Sequence, residues 1–285
     1  MDYPQCGKRT KSEAARQVLK RVIASMGYDL RRAPREPFPY VKRFQTRSFA
    51  FDFWIADQIG KLWYTQEILD SNPEFPALLG LLQRGDRVLE IGSHHGFFAM
   101  LMACAVGPSG YVLGLEAVPF NAMVAQSQIS LNGLGPVCSI RNLAGSDVPG
   151  TVPIHNSAYG HVTLAKSWDT VSVRAETGDQ MDLELGPFNV LKIDVEGFEG
   201  KVLAGCTRLL SRRPKLAIEV HTPFLGVYGT SVGEIFSAID APSYEGVLIG
   251  RRNREYSEPI PFNPSGVPKS HFNIILSPRD DGENA

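Results

Sequence analysis

The chain has 285 residues, 43% of them hydrophobic and 21% charged, with a net charge of -1. This is the balance of a globular protein long enough to bury a full core, and it excludes a disordered, a collagen-like or a disulfide-knotted chain. The charge is uneven: residues 1–47 hold twelve Lys/Arg against four Asp/Glu, so this head is +8, while the remainder, with 17 basic and 26 acidic residues, is -9.

Ser12 to Met26 places Ala14, Ala15, Val18, Leu19, Val22, Ile23 and Met26 at helical spacing, with Ser12 as N-cap and Gly27 as stop. Arg31 to Pro39, with three prolines and four charges, reads as a linker. Residues 1–47 are therefore expected to form a basic helical extension, a candidate arm for a homodimer or for docking on an acidic partner. Cys6, Cys104, Cys138 and Cys206 form no Cys-x-x-Cys pair. The start of the chain lacks an apolar signal core, and the longest apolar run, Phe97 to Val106, is too short to span a bilayer. A reduced, cytoplasmic protein with no membrane span is the expectation.

Phe49 to Asp70 is aromatic and amphipathic, and its Phe51, Phe53, Trp54, Trp63 and Tyr64 serve either to close over a ligand or to pack a core flank. Pro73 to Leu82 reads as a helix. The stretch Arg87-Val-Leu-Glu-Ile-Gly-Ser-His-His-Gly-Phe-Phe98 then reads as buried strand, glycine turn and buried helix, the opening of a doubly wound α/β domain. Gly92 and Gly96 are expected to give φ freedom and close approach of backbone to a ligand. The spacing, Glu90-x-Gly92-x-x-x-Gly96, differs from the Gly-x-Gly-x-x-Gly of dinucleotide folds and points to S-adenosylmethionine, which has no pyrophosphate to cradle.

Gly110 to Glu116 is a second buried strand whose terminal acid is placed to accept hydrogen bonds from ribose hydroxyls. A helix runs from Pro119 to Asn132-Gly133, and Val137 to Arg141 is a third strand. Between Leu143 and Gln180 no crossover helix is predicted. Alternating patterns at 151–155 and 170–174 suggest instead a hairpin-like insertion over the ligand crevice, making His155, Asn156, Tyr159 and His161 candidate acceptor contacts. Val190 to Glu199 is a buried strand with Lys192, Asp194 and Glu196 at its end, charges that are costly to bury without partners. Pro214 to His221 is a fifth strand, again ending in an acid and a histidine. Ser231 to Ile239 is a helix, and 244–249 and 272–276 are closing strands. The Pro-rich loop between them, with Arg251, Arg252 and Arg254, is a candidate lid, and Asp280 to Ala285 an acidic tail.

Val88-Leu-Glu-Ile-Gly-Ser-His-His-Gly96, Glu116, Asn132-Gly133, Leu191-Lys-Ile-Asp-Val-Glu-Gly-Phe-Glu199, Val202-Leu-Ala-Gly205 and Ile218-Glu-Val-His221 together resemble the FkbM-type methyltransferase family, over roughly residues 60 to 277. The resemblance implies a class I methyltransferase fold: a Rossmann-like, seven-stranded, mostly parallel sheet with helices on both faces, here following the N-terminal helical extension. It implies S-adenosylmethionine as cofactor and methyl transfer to a hydroxyl of a sugar, glycan or natural product. Asp179 resembles the acid that precedes the motif in this family. His94 stands where the family usually has asparagine, which changes the donor set offered to the cofactor. The methyltransferase domain is expected over 48–279.

Glu90, Gly92, His94, Gly96, Glu116 and Asp194 are thus the candidate cofactor-binding residues. Asp194 and Glu196 are expected to orient acceptor or cofactor, with His221 taking the acceptor's proton. A divalent metal held by Asp194, Glu196 and a histidine is the less favoured route, because the sequence shows no clean ligand cluster. Two rival readings are a nucleic-acid methyltransferase using the basic head, and a non-catalytic cofactor-binding protein. Against the first, the fourth strand lacks an Asn/Asp-Pro-Pro-aromatic turn and the crevice acids repel phosphate.

Overall fold

The computed structural model describes residues 39–155, 162–163, 170–252 and 255–279. The predicted helix at Ser12 to Met26, the candidates Asn156, Tyr159 and His161, and the acidic tail lie outside the described residues.

The first elements are β1 (Tyr40–Gln45) and β2 (Ala50–Ile55), an antiparallel hairpin with Phe44 opposite Phe51. In β2, Phe51, Phe53 and Ile55 are buried and alternate with Asp52 and Trp54, so a period of two governs this stretch. The hairpin straddles residue 47, where the sequence predicts the extension to end. Phe44 on one side of that position, and Phe51 and Phe53 on the other, pack on Phe97 with ring centroids 5.1, 5.5 and 5.1 Å away. Short helices at Gln58–Trp63 and Gln66–Ser71 follow, started by Asp57 and Thr65 side chains that accept from the N–H groups of Gly60 and Ile68 at 2.7 and 3.1 Å.

A helix at Glu74–Leu81 leads into β3 (Arg87–Ile91), followed by the helix Phe97–Val106, β4 (Tyr111–Leu115), the helix Pro119–Leu131 and β5 (Cys138–Arg141). Next come β6 (Ala144–Gly145), β7 (Gly150–His155) and β8 (Thr170–Glu176), a separate three-stranded sheet in the order β6-β8-β7. β7 and β8 form the predicted hairpin, His155 opposite Thr170. The crossover helix not found in the sequence is Gly178–Leu185, capped by Thr177; only Gly178, Met181 and Asp182 of it are buried, which left a weak apolar signal.

The chain continues through β9 (Val190–Ile193), helices at Glu199–Ala204 and Thr207–Leu210, and β10 (Lys215–Val220). Helices at Thr222–Leu225 and Val232–Ala238 then precede β11 (Tyr244–Arg252), β12 (Glu255–Tyr256), β13 (Ile260–Pro261) and β14 (Phe272–Pro278). The central sheet runs β12-β11-β14-β10-β9-β3-β4-β5, with β13 also on β11. The expected seven strands become nine among the described residues, because the Pro-rich loop pairs β12 and β13 back onto β11. β10, β9, β3, β4 and β5 are parallel, and β14 lies antiparallel between β10 and β11. Helices cover this sheet, so β3, β4 and β9 read as continuous apolar runs.

Register decides where the site falls. Ile91 pairs with Leu115 and with Ile193, and Ile193 pairs with Ile218. The segments just beyond these four residues (Gly92–Gly96, Glu116, Asp194–Glu196 and Glu219–His221) therefore meet along one edge of the sheet.

Candidate active site

Gly92 has φ 94°, and a Cβ there would stand 1.8 Å from the carbonyl oxygen of Asp194. The close approach predicted for this glycine is thus to the neighbouring strand's turn. Gly96 (φ 82°) opens the helix Phe97–Val106, and a Cβ on it would lie 3.0 Å from Cβ of Ala125. Between them His94 is held at φ 48°, a conformation that favours glycine and asparagine. Its backbone N–H donates to Glu116 Oε2 at 2.7 Å, and its ring Nδ1 meets the hydroxyl of Tyr64. The other oxygen of Glu116 accepts from the Val118 N–H at 2.8 Å. Burial pushes the Glu116 carboxyl up to about 7, although both N–H bonds favour its ionised form.

Across the turn, buried Lys192 lies 3.7 Å from Glu90 and 3.9 Å from Asp194, with its ammonium 4.3 Å from the centre of the Phe98 ring. Burial opposes the lysine's charge, but the carboxylates of Asp194 and Glu90 outweigh it and hold its pKa above the ordinary value. Burial raises Glu90 in turn, against the pull of the Lys192 charge.

His221 is the centre of a second group. Its Nδ1 is 2.7 Å from Glu199 Oε1, while Nε2 lies 3.4 Å from Glu196, 3.6 Å from Glu219 and 4.0 Å from Asp194. Burial works against a charge on this ring, yet the bond to Glu199 and the charge of Glu219 push it up to about 10. Arg251 pairs with Glu219 and stands over Trp63 and Tyr256, 5.3 and 5.6 Å from their ring centres. Glu196 has φ 52°, and burial raises its carboxyl to about 7.

One cleft joins these groups. Its wall includes Gly92, His94 and Glu116 on one side and Asp194, Glu196 and Glu219 on the other. Of the predicted site residues, Glu90, Gly96 and His221 are not on this wall: Glu90 is wholly buried, and His221 lies behind the carboxylates with 2% exposure. Trp63 and Tyr64 line the cleft, whereas Phe51 and Phe53 belong to the core. The insertion contributes Val162 and the Pro-rich loop contributes Arg251 and Tyr256. His155, half-buried on β7, is not on the wall.

The profile of the methyltransferase FkbM domain matches residues 90–245. The chain belongs to that family. Membership makes S-adenosylmethionine the methyl donor of this FkbM methyltransferase, and the residues present suit it. A carboxylate offers about four acceptor positions, so Glu116, with one N–H on each oxygen, keeps capacity for a ribose diol. The acidic wall of Glu116, Asp194 and Glu196 matches the positive charge of a sulfonium.

Relatives of the FkbM methyltransferase include two proteins named protein-L-isoaspartate O-methyltransferase. That of Fervidobacterium nodosum is 41% identical over 59 residues, 21% of this chain and 30% of that protein. That of Ignicoccus hospitalis is 26% identical over 151 residues, 50% of this chain and 67% of that protein. Among solved structures, an S-adenosylmethionine-dependent O-methyltransferase from Thermotoga maritima aligns over 76% of this chain and 72% of its own, with a TM-score of 0.42 and 15% identity. An O-methyltransferase from Bacillus cereus aligns over 72% and 79%, with a TM-score of 0.40 and 18% identity.

Four residues of this site are not among the predicted catalytic or cofactor-binding residues. Glu199 and Glu219 sit in quoted motifs, and the two-residue step from Glu219 to His221 in an extended segment already put both on one side. Tyr64 and Arg251 are brought in by tertiary structure from 30 residues before His94 and 32 after Glu219. Asp179, the family acid, is not on the cleft: it caps the helix Thr207–Leu210, accepting from the N–H groups of Arg208 and Leu209, both at 2.9 Å. No helix among the described residues is long and apolar enough to cross a membrane.

Proposed function

We propose that this protein is an O-methyltransferase that moves the methyl group of S-adenosylmethionine to a hydroxyl of a sugar, glycan or natural product. The supporting observation is the single cleft on which Glu116 and the Gly92–His94 turn face Asp194, Glu196 and Glu219. The acids lining this cleft favour a neutral hydroxyl acceptor over the carboxylate that an isoaspartyl residue would present.

The bound cofactor supplies an electrophilic methyl on a sulfonium. This chain's residues must hold an acceptor oxygen in line and receive its proton. Glu196 is the proposed receiver. Its side chain is 36% exposed on the cleft, and its left-handed backbone is strain of the kind found at working sites. Asp194 orients the acceptor. His221, placed behind both, positions their carboxylates and is not the group that meets substrate.

Purified full-length chain, incubated with methyl-labelled cofactor and a panel of glycosides and polyols, is expected to give labelled ether products by mass spectrometry. Glu196→Gln should lower kcat about 100-fold or more, the usual scale for loss of a general base, with cofactor affinity unchanged. Full turnover by that variant would remove Glu196 from its role. With carboxyl-bearing peptides and oligonucleotides added to the panel, label appearing only on those would overturn the hydroxyl reading.

A further inference from the structure

We propose that Asp194, Glu219 and His221 form a divalent-cation site at the back of the cleft. The proposal rests on the methyltransferase reading above and restores a metal that the sequence disfavours, on a different ligand set, with Glu219 in place of Glu196. One carboxylate oxygen each from Asp194 and Glu219 and a ring nitrogen of His221 all lie within 4.8 Å of one another. The three come from the ends of adjacent parallel strands, β9 and β10, so the sheet fixes their spacing.

The imidazole is built as a metal ligand is built. Glu199, wholly buried, holds Nδ1 at 2.7 Å and so fixes the ring with Nε2 turned toward the carboxylates. A carboxylate behind a histidine in this way sets its tautomer and raises its basicity toward a metal. Nε2 faces three carboxylate oxygens 3.4 to 4.0 Å away, in a ring that is only 2% exposed. The site is also over-supplied with negative charge. Asp194, Glu196, Glu199 and Glu219 face His221, with Arg251 on Glu219 and Lys192 shared between Asp194 and Glu90. A divalent ion on Nε2 would replace the ring's proton and add positive charge where carboxylates are in excess.

Two carboxylates and one imidazole suit a hard-to-borderline ion of the Mn²⁺ class. Asp194 and Glu219 also line the cleft, so a cation they held would stand beside an acceptor bound there. Such a cation would supply Lewis-acid polarisation that makes an acceptor hydroxyl easier to deprotonate. The proton passes to Glu196, the oxygen's electron pair forms the new C–O bond, and the S–C pair returns to sulfur to leave a neutral thioether.

The test titrates full-length protein with Mn²⁺ alone and reads free Mn²⁺ by electron paramagnetic resonance, with cofactor binding measured separately by calorimetry. One Mn²⁺ per chain is expected. His221→Ala and Glu219→Gln should each abolish binding, and Glu199→Gln should weaken it about tenfold or more through the ring it holds. Glu184→Gln, on an exposed pair with Arg141, should bind as the parent does. No Mn²⁺ uptake by the parent chain overturns the proposal, as does equal uptake by Glu219→Gln or equal loss in Glu184→Gln. Mn²⁺ failure with cofactor still bound leaves the methyltransferase reading intact, whereas failure of the parent chain to bind cofactor removes that reading whatever the cation does.

Discussion

The carbonyl oxygen of Asp194 occupies the space a side chain at Gly92 would need, 1.8 Å from where its Cβ would stand. Neither partner has room to withdraw, because the Asp194 N–H donates to Ile91 O and the Gly92 N–H to Leu115 O, both at 2.9 Å. Gly92→Ala therefore combines a left-handed backbone with a clash between main chains. It is expected to cost about 3 kcal/mol, from roughly 1–3 kcal/mol of backbone strain and a similar overpacking penalty. Urea denaturation measures it, and a loss below about 1 kcal/mol would show the two turns to be separable.

Glu116, as the proposed ribose ligand, is expected to link cofactor affinity to pH. Its carboxyl is raised by burial from 4.5 to about 7, so ionising it costs the fold. The stability this group contributes is present below the unfolded pKa and is lost as pH rises through about 7. With Glu116 as the proposed ribose ligand, cofactor binding is expected to run the other way, since the diol would donate to the carboxylate. Affinity by calorimetry should climb as pH passes from 6 to 8, by up to about tenfold per unit below the pKa. Glu116→Gln should flatten that climb and weaken binding about tenfold, as expected for loss of a charge-assisted hydrogen bond.

The amide side chains of Gln128 and Asn132 act as a substitute strand for β2. Gln128 accepts from the Trp54 N–H at 2.8 Å and donates to its carbonyl at 2.8 Å, and Asn132 does the same for Asp52 at 2.9 and 2.7 Å. Gln128→Ala removes two such bonds on a buried side chain and should cost about 2 kcal/mol. Hydrogen exchange at the Trp54 amide should accelerate while core amides of β3 stay protected. Unchanged Trp54 exchange would mean that aromatic packing alone holds the hairpin.

Asp179 gives a control for the family motif. As a cap on the helix Thr207–Leu210 it should be worth about 1–2 kcal/mol, lost in Asp179→Ala. Cofactor affinity and kcat per folded molecule should not move. A fall in affinity with stability unchanged would restore Asp179 to the site.

The sequence by itself determined the alternation of buried strands and helices from Arg87 onward, because strands covered on both faces must be apolar throughout and their glycine turns cannot be disguised. It also located the acids at strand ends, since a charge closing an apolar run has nowhere to go but the sheet edge. Local pattern carried less where polar residues dominate, as in Gly178–Leu185, and where aromatic content hid a two-residue period, as in β2. Only the tertiary structure decided which charges meet. Register across β3, β9 and β10 brings Asp194, Glu219 and His221 together, Glu199 then turns the histidine ring, and burial moves His221 off the cleft and leaves Glu196 on it. A residue's role here follows from which neighbours share its low-dielectric surroundings, and those neighbours come from segments far apart along the chain.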